Sequence, residues 1–205
     1  MLADNSKIFV TDYGTGTDRE RAVSEIAQHA LKEPAMAQIL FRIVHHHQYK
    51  NILELGTSLG ISSMYMASAS VGCQVITLEG CPAISALAQQ NFDRLGLKHI
   101  KLINCNIDEQ LSSILSTLNK LDFVFIDANH RYEPLMRYFE TCLNHADEKA
   151  IFVIDDIYWS AEMKKAWKEI KEHNMVKATI DIYHMGIVFL NPMLQKRHYV
   201  VRTKN

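Results

Sequence analysis

Five short stretches of this chain carry side chains whose types and places suit chemistry. The first is Glu54-Leu-Gly-Thr-Ser-Leu-Gly60, where an apolar run breaks at Gly56 and a polar turn, Thr57-Ser58-Leu59, ends in Gly60. Glycines there let the backbone take positive φ and let a ligand come close, and the amides exposed where a helix then begins attract electron-rich groups. The second is Glu79-Gly80. An acid about twenty residues past a glycine turn, at the end of the next strand, can accept hydrogen bonds from both hydroxyls of a ribose. The other three are Asn106-Ile107-Asp108, Asp127-Ala-Asn-His130 and Asp155-Asp156, each following an apolar run. Buried carboxylates are costly unless paired, so packing alone does not account for acids in these places.

The elements that must position them alternate from Asn51 onward. Apolar runs at Ile52 to Leu55, Gln74 to Leu78, Ile100 to Ile103, Leu121 to Ile126 and Ala150 to Ile154 read as strands. Helical spacing follows at Ile61 to Ser70, Pro82 to Leu95, Glu109 to Leu118, Pro134 to Asn144 and beyond Ser160, a capping residue. The tail from Ala178 to Val201 reads as β segments with turns at Gly186 and Asn191-Pro192. Ahead of this core lie a short strand at Ile8-Phe9-Val10 and a capping-box pattern, Thr17-x-x-Glu20, that predicts a helix running to Glu33. Pro34 then opens a second helix that ends in His45-His46-His47. The expected architecture is one α/β domain over 1–205, with a loop and cap helices over 1–47 and a core over 48–205. In such sheets ligands bind outside the carboxyl ends of the strands, where all five stretches fall.

Composition excludes several classes. With 22 basic and 23 acidic residues and a formal net charge of −1, the chain has no basic excess for nucleic acid. Its four cysteines, Cys73, Cys81, Cys105 and Cys142, show neither CxxC nor zinc-like spacing and read as reduced thiols, which favours the cytoplasm. No run of about 20 apolar residues predicts a membrane span, and no leader is evident. The three adjacent histidines point in different directions on a helix and are assigned no chemistry. A nicotinamide-dependent oxidoreductase shares the ribose carboxylate, but its G-x-G-x-x-G turn needs a middle glycine for a pyrophosphate, and Thr57-Ser58-Leu59 fill that space. S-adenosylmethionine has a ribose and an amino-acid tail without phosphate and suits the turn better.

Taken together, Glu54 to Gly60, Glu79 and Asp127 to His130 resemble the class I S-adenosylmethionine-dependent methyltransferases. The chain is most similar to the small O-methyltransferase branch typified by catechol O-methyltransferase. Within it, a bacterial group carries an Asp-Asp-Ile-Tyr-Trp-Ser segment, matched by Asp155 to Ser160. The resemblance spans nearly the whole chain and implies a Rossmann-like, seven-stranded, mostly parallel sheet with helices on both faces and an antiparallel last strand. It places Glu54, Gly56, Thr57, Ser58 and Gly60 by the methionine part of the cofactor, Glu79 and Gly80 by the ribose, Ile107 and Asp108 by the adenine, and Asp127 at the cofactor's edge.

The same resemblance implies a divalent cation, Mg2+ or another, at Asp127, Asp155 and Asp156. Asp156 stands where catechol-type enzymes have Asn, and retains an oxygen ligand. His130 stands where they have a lysine that deprotonates the acceptor, and histidine titrates near neutrality. With Asp127 it forms the expected catalytic pair, while Asn129, Arg131 and Tyr132 beside it receive no role. The expectation is a cytoplasmic O-methyltransferase for a small hydroxylated molecule, free of nucleic-acid and membrane partners, with a homodimer left open. The loop from Tyr13 to Thr17, the first helices and Tyr158-Trp159 are candidate acceptor walls, since aromatics suit flat molecules. The alternatives are a catalytically silent S-adenosylmethionine-binding domain and the oxidoreductase.

Overall fold

The structure, a computed structural model, describes residues 1–11, 13, 16–30 and 34–202. It divides into two units, Met1–Ile107 and Asp108–Asn205.

In the first unit, the apolar runs form the parallel strands β3 (Asn51–Leu55), β4 (Gln74–Glu79) and β5 (Ile100–Asn104), adjacent in that order. Leu53, Leu55, Val75 and Leu78 are wholly buried, as expected of strands covered on both faces. Register sets Glu54 beside Thr77 and Glu79 beside Asn104, so the polar strand ends line up. The helices are α1 (Val23–Ala30), α2 (Pro34–His47), α3 (Ile61–Ala67) and α4 (Pro82–Arg94). Pro82 opens α4, where a missing N–H costs nothing.

The N-terminal segment corrects one expectation. Arg19–Ala22 is a strand, β2, paired antiparallel with β1 (Lys7–Val10), Phe9 opposite Glu20. The capping-box pattern at Thr17 and Glu20 therefore starts no helix, and α1 begins only at Val23. Backbone pairing across the hairpin satisfies the amides that a cap would otherwise serve. The hairpin and α1 are held by a cluster of Val10, Ile26, Ala27, Leu59, Cys81 and Ile84, which ties them to the glycine turn and to the start of α4. The expected helix end at Glu33 lies outside the described residues.

The second unit holds α5 (Ile107–Leu115, beginning at the boundary), β6 (Leu121–Ile126), α6 (Tyr132–Leu143), β7 (Ala146–Asp155), α7 (Ala161–Glu172), β8 (Ala178–Asp181), β9 (Met185–Phe189) and β10 (Arg197–Val200). Their sheet order is β10-β8-β9-β7-β6. β6 and β7 are parallel, β9 runs antiparallel to β7 and β8, and β10 runs parallel to β8. The chain is thus mixed α/β with a mostly parallel sheet of eight strands, one more than the resemblance implies. The antiparallel strand is the penultimate one. Gly186, which the sequence suggests as a turn, lies inside β9, because a Cβ there would sit 2.6 Å from the Trp167 ring. Ser160 caps α7 as expected, accepting from the Met163 amide at 3.1 Å. No described helix is long and apolar enough to cross a membrane.

Candidate functional site

The glycine turn between β3 and α3 holds three left-handed residues, Gly56 (φ 94°), Ser58 (φ 48°) and Gly60 (φ 84°). Gly60 has a second reason to lack a side chain, since a Cβ would collide with the Phe92 ring. The turn is fixed from below: the Gly56 and Thr57 amides donate to the Leu78 carbonyl at 3.0 and 3.2 Å, and the Asn91 amide donates to the Leu59 carbonyl at 3.0 Å.

Glu54 is fully buried and accepts from Ser62 at 2.5 Å, from Thr77 at 2.6 Å and from Ser63. A buried carboxylate without such donors would cost several kcal/mol, so these hydroxyls are what keeps an acid under the turn. With the Thr77 proton given to Glu54, Thr57 is the donor in the 2.6 Å contact between the two threonine hydroxyls. Glu54 and Thr57 therefore brace the turn from inside, and Thr57 presents its backbone rather than its side chain. Thr77, Ser62 and Ser63 are site residues that sequence reasoning missed. The available signal was two hydroxyls in the first turn after Gly60.

Glu79 ends β4 with one carboxylate oxygen on the Ser58 amide and the other on the Cys81 amide, each at 2.9 Å. A carboxylate oxygen has two lone pairs, so one backbone amide does not by itself saturate either oxygen. Its backbone carbonyl accepts from Asn104 at 2.7 Å and from the Cys105 amide at 2.9 Å, which ties the strand ends together. The Tyr13 ring comes within 2.6 Å of where a Gly80 Cβ would be, so Tyr13 packs against the residue after the ribose candidate.

In the second unit, β6 and β7 end side by side, Ile126 paired with Ile154, and the acids follow at once. The His130 Nε2 lies 3.6 Å from the Asp127 carboxylate and 4.0 Å from that of Asp156. All three side chains are partly exposed, at 30%, 21% and 37%. Asp155 is different: it is 2% exposed, a member of β7 paired with Met185. Asp156 leaves the strand with φ 52°, its amide donating to the His184 carbonyl at 2.7 Å. The structure thus brings His130, Asp127 and Asp156 together. Among the described residues, no group of three or more His, Cys, Asp or Glu could hold a metal ion, so the cation expectation rests on the oxygen donors' chemistry alone.

Of the two residues expected by the adenine, Ile107 is buried at the start of α5, and Asp108 is engaged within its own unit. Its carboxylate accepts from Arg137 and from the Tyr138 hydroxyl, both at 2.5 Å. Burial works against the charge, yet these two donors hold the Asp108 carboxyl below its ordinary 3.8. Stability from a depressed carboxyl is fully present above the unfolded value, near 3.9, and is lost as pH falls through the folded one. Asp108→Asn is therefore expected to be less stable than the parent at pH 6, with the gap closing below about pH 4, as read from urea midpoints at the two pH values.

Residues 53–157 match the methyltransferase-domain family, and the chain belongs to that family. Two of its relatives are catechol O-methyltransferases. Over 127 residues it is 34% identical to a catechol O-methyltransferase of Niastella koreensis, covering 60% of this chain and 57% of that one. Over 145 residues it is 28% identical to the catechol O-methyltransferase of Bos taurus, covering 65% and 53%. The chain thus spans just over half the length of these relatives. Its fold matches that of an O-methyltransferase from Bacillus cereus in complex with SAH, with a TM-score of 0.70 at 20% identity over 81% of this chain and 89% of that one.

Proposed function

We propose that this chain transfers a methyl group from S-adenosylmethionine to a hydroxyl of a small molecule. The observation that carries the reading is Glu79, aimed by the Ser58 and Cys81 amides so that a rigid carboxylate faces a phosphate-free turn. Kinship to catechol O-methyltransferases supports a small hydroxylated acceptor. The near-neutral charge gives no support to a polyanionic one, and the reduced cysteines accord with the cytoplasm.

Methyl transfer from a sulfonium is an in-line displacement in which charge is lost, so the protein mainly aligns donor and acceptor and supplies the acceptor deprotonated. His130 takes the hydroxyl proton on its imidazole, and Asp127 and Asp156 stabilise the imidazolium that forms. A divalent ion, where bound, would lower the acceptor's pKa. The residues that would hold it by the family resemblance are Asp127, Asp155 and Asp156, oxygen donors of the kind magnesium takes, but they are not grouped as a metal site among the described residues, and the proton transfer to His130 needs no step through it.

Calorimetric titration with S-adenosylmethionine, then methyl transfer to a panel of catechols and hydroxy acids with and without a chelator, tests the reading. Binding and turnover are expected, and a loss of turnover in chelator that added magnesium restores would assign the cation a role. Activity unchanged in chelator would remove the cation. Binding without turnover on any acceptor would favour a silent cofactor-binding domain, and binding of NAD in place of S-adenosylmethionine would overturn the reading.

A further inference from the structure

Asp156, the more distant of the two carboxylates beside His130, stands in a left-handed conformation (φ 52°), and its backbone is held on both sides. Its amide donates to the His184 carbonyl at 2.7 Å, and its own carbonyl accepts from the Trp159 amide at 2.9 Å, which closes a turn over 156–159. The His184 carbonyl belongs to a second turn, between β8 and β9, where Tyr183 is also left-handed (φ 71°), a conformation uncommon for a bulky residue. Residues in such conformations persist where their surroundings over-determine them, and they cluster at working sites. Here one buried carboxylate does the holding. Asp181, at the end of β8 and 4% exposed, accepts from both turns: Oδ1 from the Tyr183 amide at 2.9 Å, and Oδ2 from the Tyr158 hydroxyl at 2.6 Å. Trp167 Nε1 donates to the same Oδ2 at 3.1 Å, which anchors the carboxylate to the buried face of α7. The Tyr158 and Tyr183 rings stack with centroids 5.5 Å apart, so the turns also meet through their side chains.

We propose that Asp181 and Tyr158 are positioning residues for Asp156: the buried Asp181 carboxylate joins the turn that carries Asp156 to the turn whose His184 carbonyl holds its amide, and so sets the Asp156 carboxylate beside the His130 imidazole. The proposal rests on the reading of His130 as the proton acceptor. Its physical basis is that Asp156 lies one residue past the last ladder pair of β7, Asp155 with Met185, where the sheet no longer fixes the backbone. A contact of 4.0 Å between exposed side chains holds geometry weakly by itself, so the place of the carboxylate depends on the backbone beneath it. Ile157, wholly buried, keeps the 156–159 turn against the core, and Asp181 fixes its rotation through Tyr158. The acid is itself satisfied by its donors, as a buried carboxylate must be.

The test uses Tyr158→Phe, which keeps the ring and removes the hydroxyl, and Asp181→Asn, which keeps the shape but has a single oxygen and so cannot serve both turns. Each is expected to lower kcat about tenfold with the dissociation constant for S-adenosylmethionine within about twofold of the parent, since a small misplacement at the reacting centre costs rate rather than cofactor binding. A cycle with Asp156→Asn separates positioning from general support of the fold. If Tyr158 acts through Asp156, adding Tyr158→Phe to Asp156→Asn costs less than about a further twofold in kcat, whereas losses that multiply would overturn the proposal. An undiminished kcat in Tyr158→Phe, where Asp156→Asn alone lowers it, would overturn it too. The ring proton signals of His130, assigned by their loss in His130→Ala, give the same cycle without turnover. They are expected to move in Tyr158→Phe and in Asp181→Asn, and to move no further when Asp156→Asn is already present. If the parent turns over no acceptor on the panel, or if Asp156→Asn leaves kcat undiminished, the catalytic reading of this cluster fails. The ring signals then decide alone whether Asp181 and Tyr158 place Asp156, and signals unmoved in both variants would sink the proposal.

Discussion

Replacing His130 by alanine is expected to lower kcat by about 10²- to 10⁴-fold while leaving the dissociation constant for S-adenosylmethionine unchanged. A protonated hydroxyl is a poor nucleophile, and the imidazole of this turn carries a ring nitrogen whose lone pair can take the proton. The flanking carboxylates at 3.6 and 4.0 Å favour the charged product of proton transfer. His130→Lys, which restores the residue found in catechol-type enzymes, is expected to keep part of the activity and to need higher pH, because an ordinary lysine titrates near 10.4 against 6.5 for histidine. Rates across pH 6 to 10 for the parent and both variants, beside calorimetry, separate the possibilities. Undiminished turnover in the alanine variant would sink the base assignment, and a parallel loss of cofactor binding would show that the imidazole holds the turn rather than the proton.

How far the sequence could lead differs between the two halves of the site. The strand-turn-helix at Glu54 to Gly60 and the acid at Glu79 were legible because their signals are local: an apolar run, two glycines, then an acid at a fixed remove. The same locality gave β6, β7 and the acids that follow them. What was not legible depends on contacts distant in sequence. Glu54 looks like a ligand-facing acid until register places Thr77 beside it and α3 turns Ser62 and Ser63 onto it. Asp108 looks like an adenine neighbour, yet Arg137 and Tyr138, some thirty residues later, claim its carboxylate. Thr17 and Glu20 obey a local helix rule, and pairing with β1 overrides it. β10 lies after Asn191-Pro192 in the tail that the sequence reads as β segments, and it is the resemblance's count of seven strands that leaves it out.

The second large effect is expected at Glu79. Removing its carboxylate in Glu79→Ala takes away both proposed acceptors for the ribose hydroxyls and leaves the Ser58 and Cys81 amides without the oxygens they now hold. Hydrogen bonds to a charged group contribute about 1.5–3 kcal/mol each, so S-adenosylmethionine affinity should fall by about 10²-fold or more. Glutamine tests the geometry more sharply than alanine does. Each oxygen of Glu79 accepts from a different backbone N–H, and an amide has only one oxygen, so Glu79→Gln must point its NH2 at one of those donors. That juxtaposition of two donors either turns the side chain away from the ribose or opens the Ser58 turn, and both routes weaken the cofactor site. The glutamine variant is therefore expected to bind S-adenosylmethionine nearly as poorly as the alanine variant, despite its matching shape. Calorimetry on the two variants measures this directly: a glutamine variant that binds within about threefold of the parent would mean that the carboxylate's charge and its two backbone contacts do not set cofactor affinity.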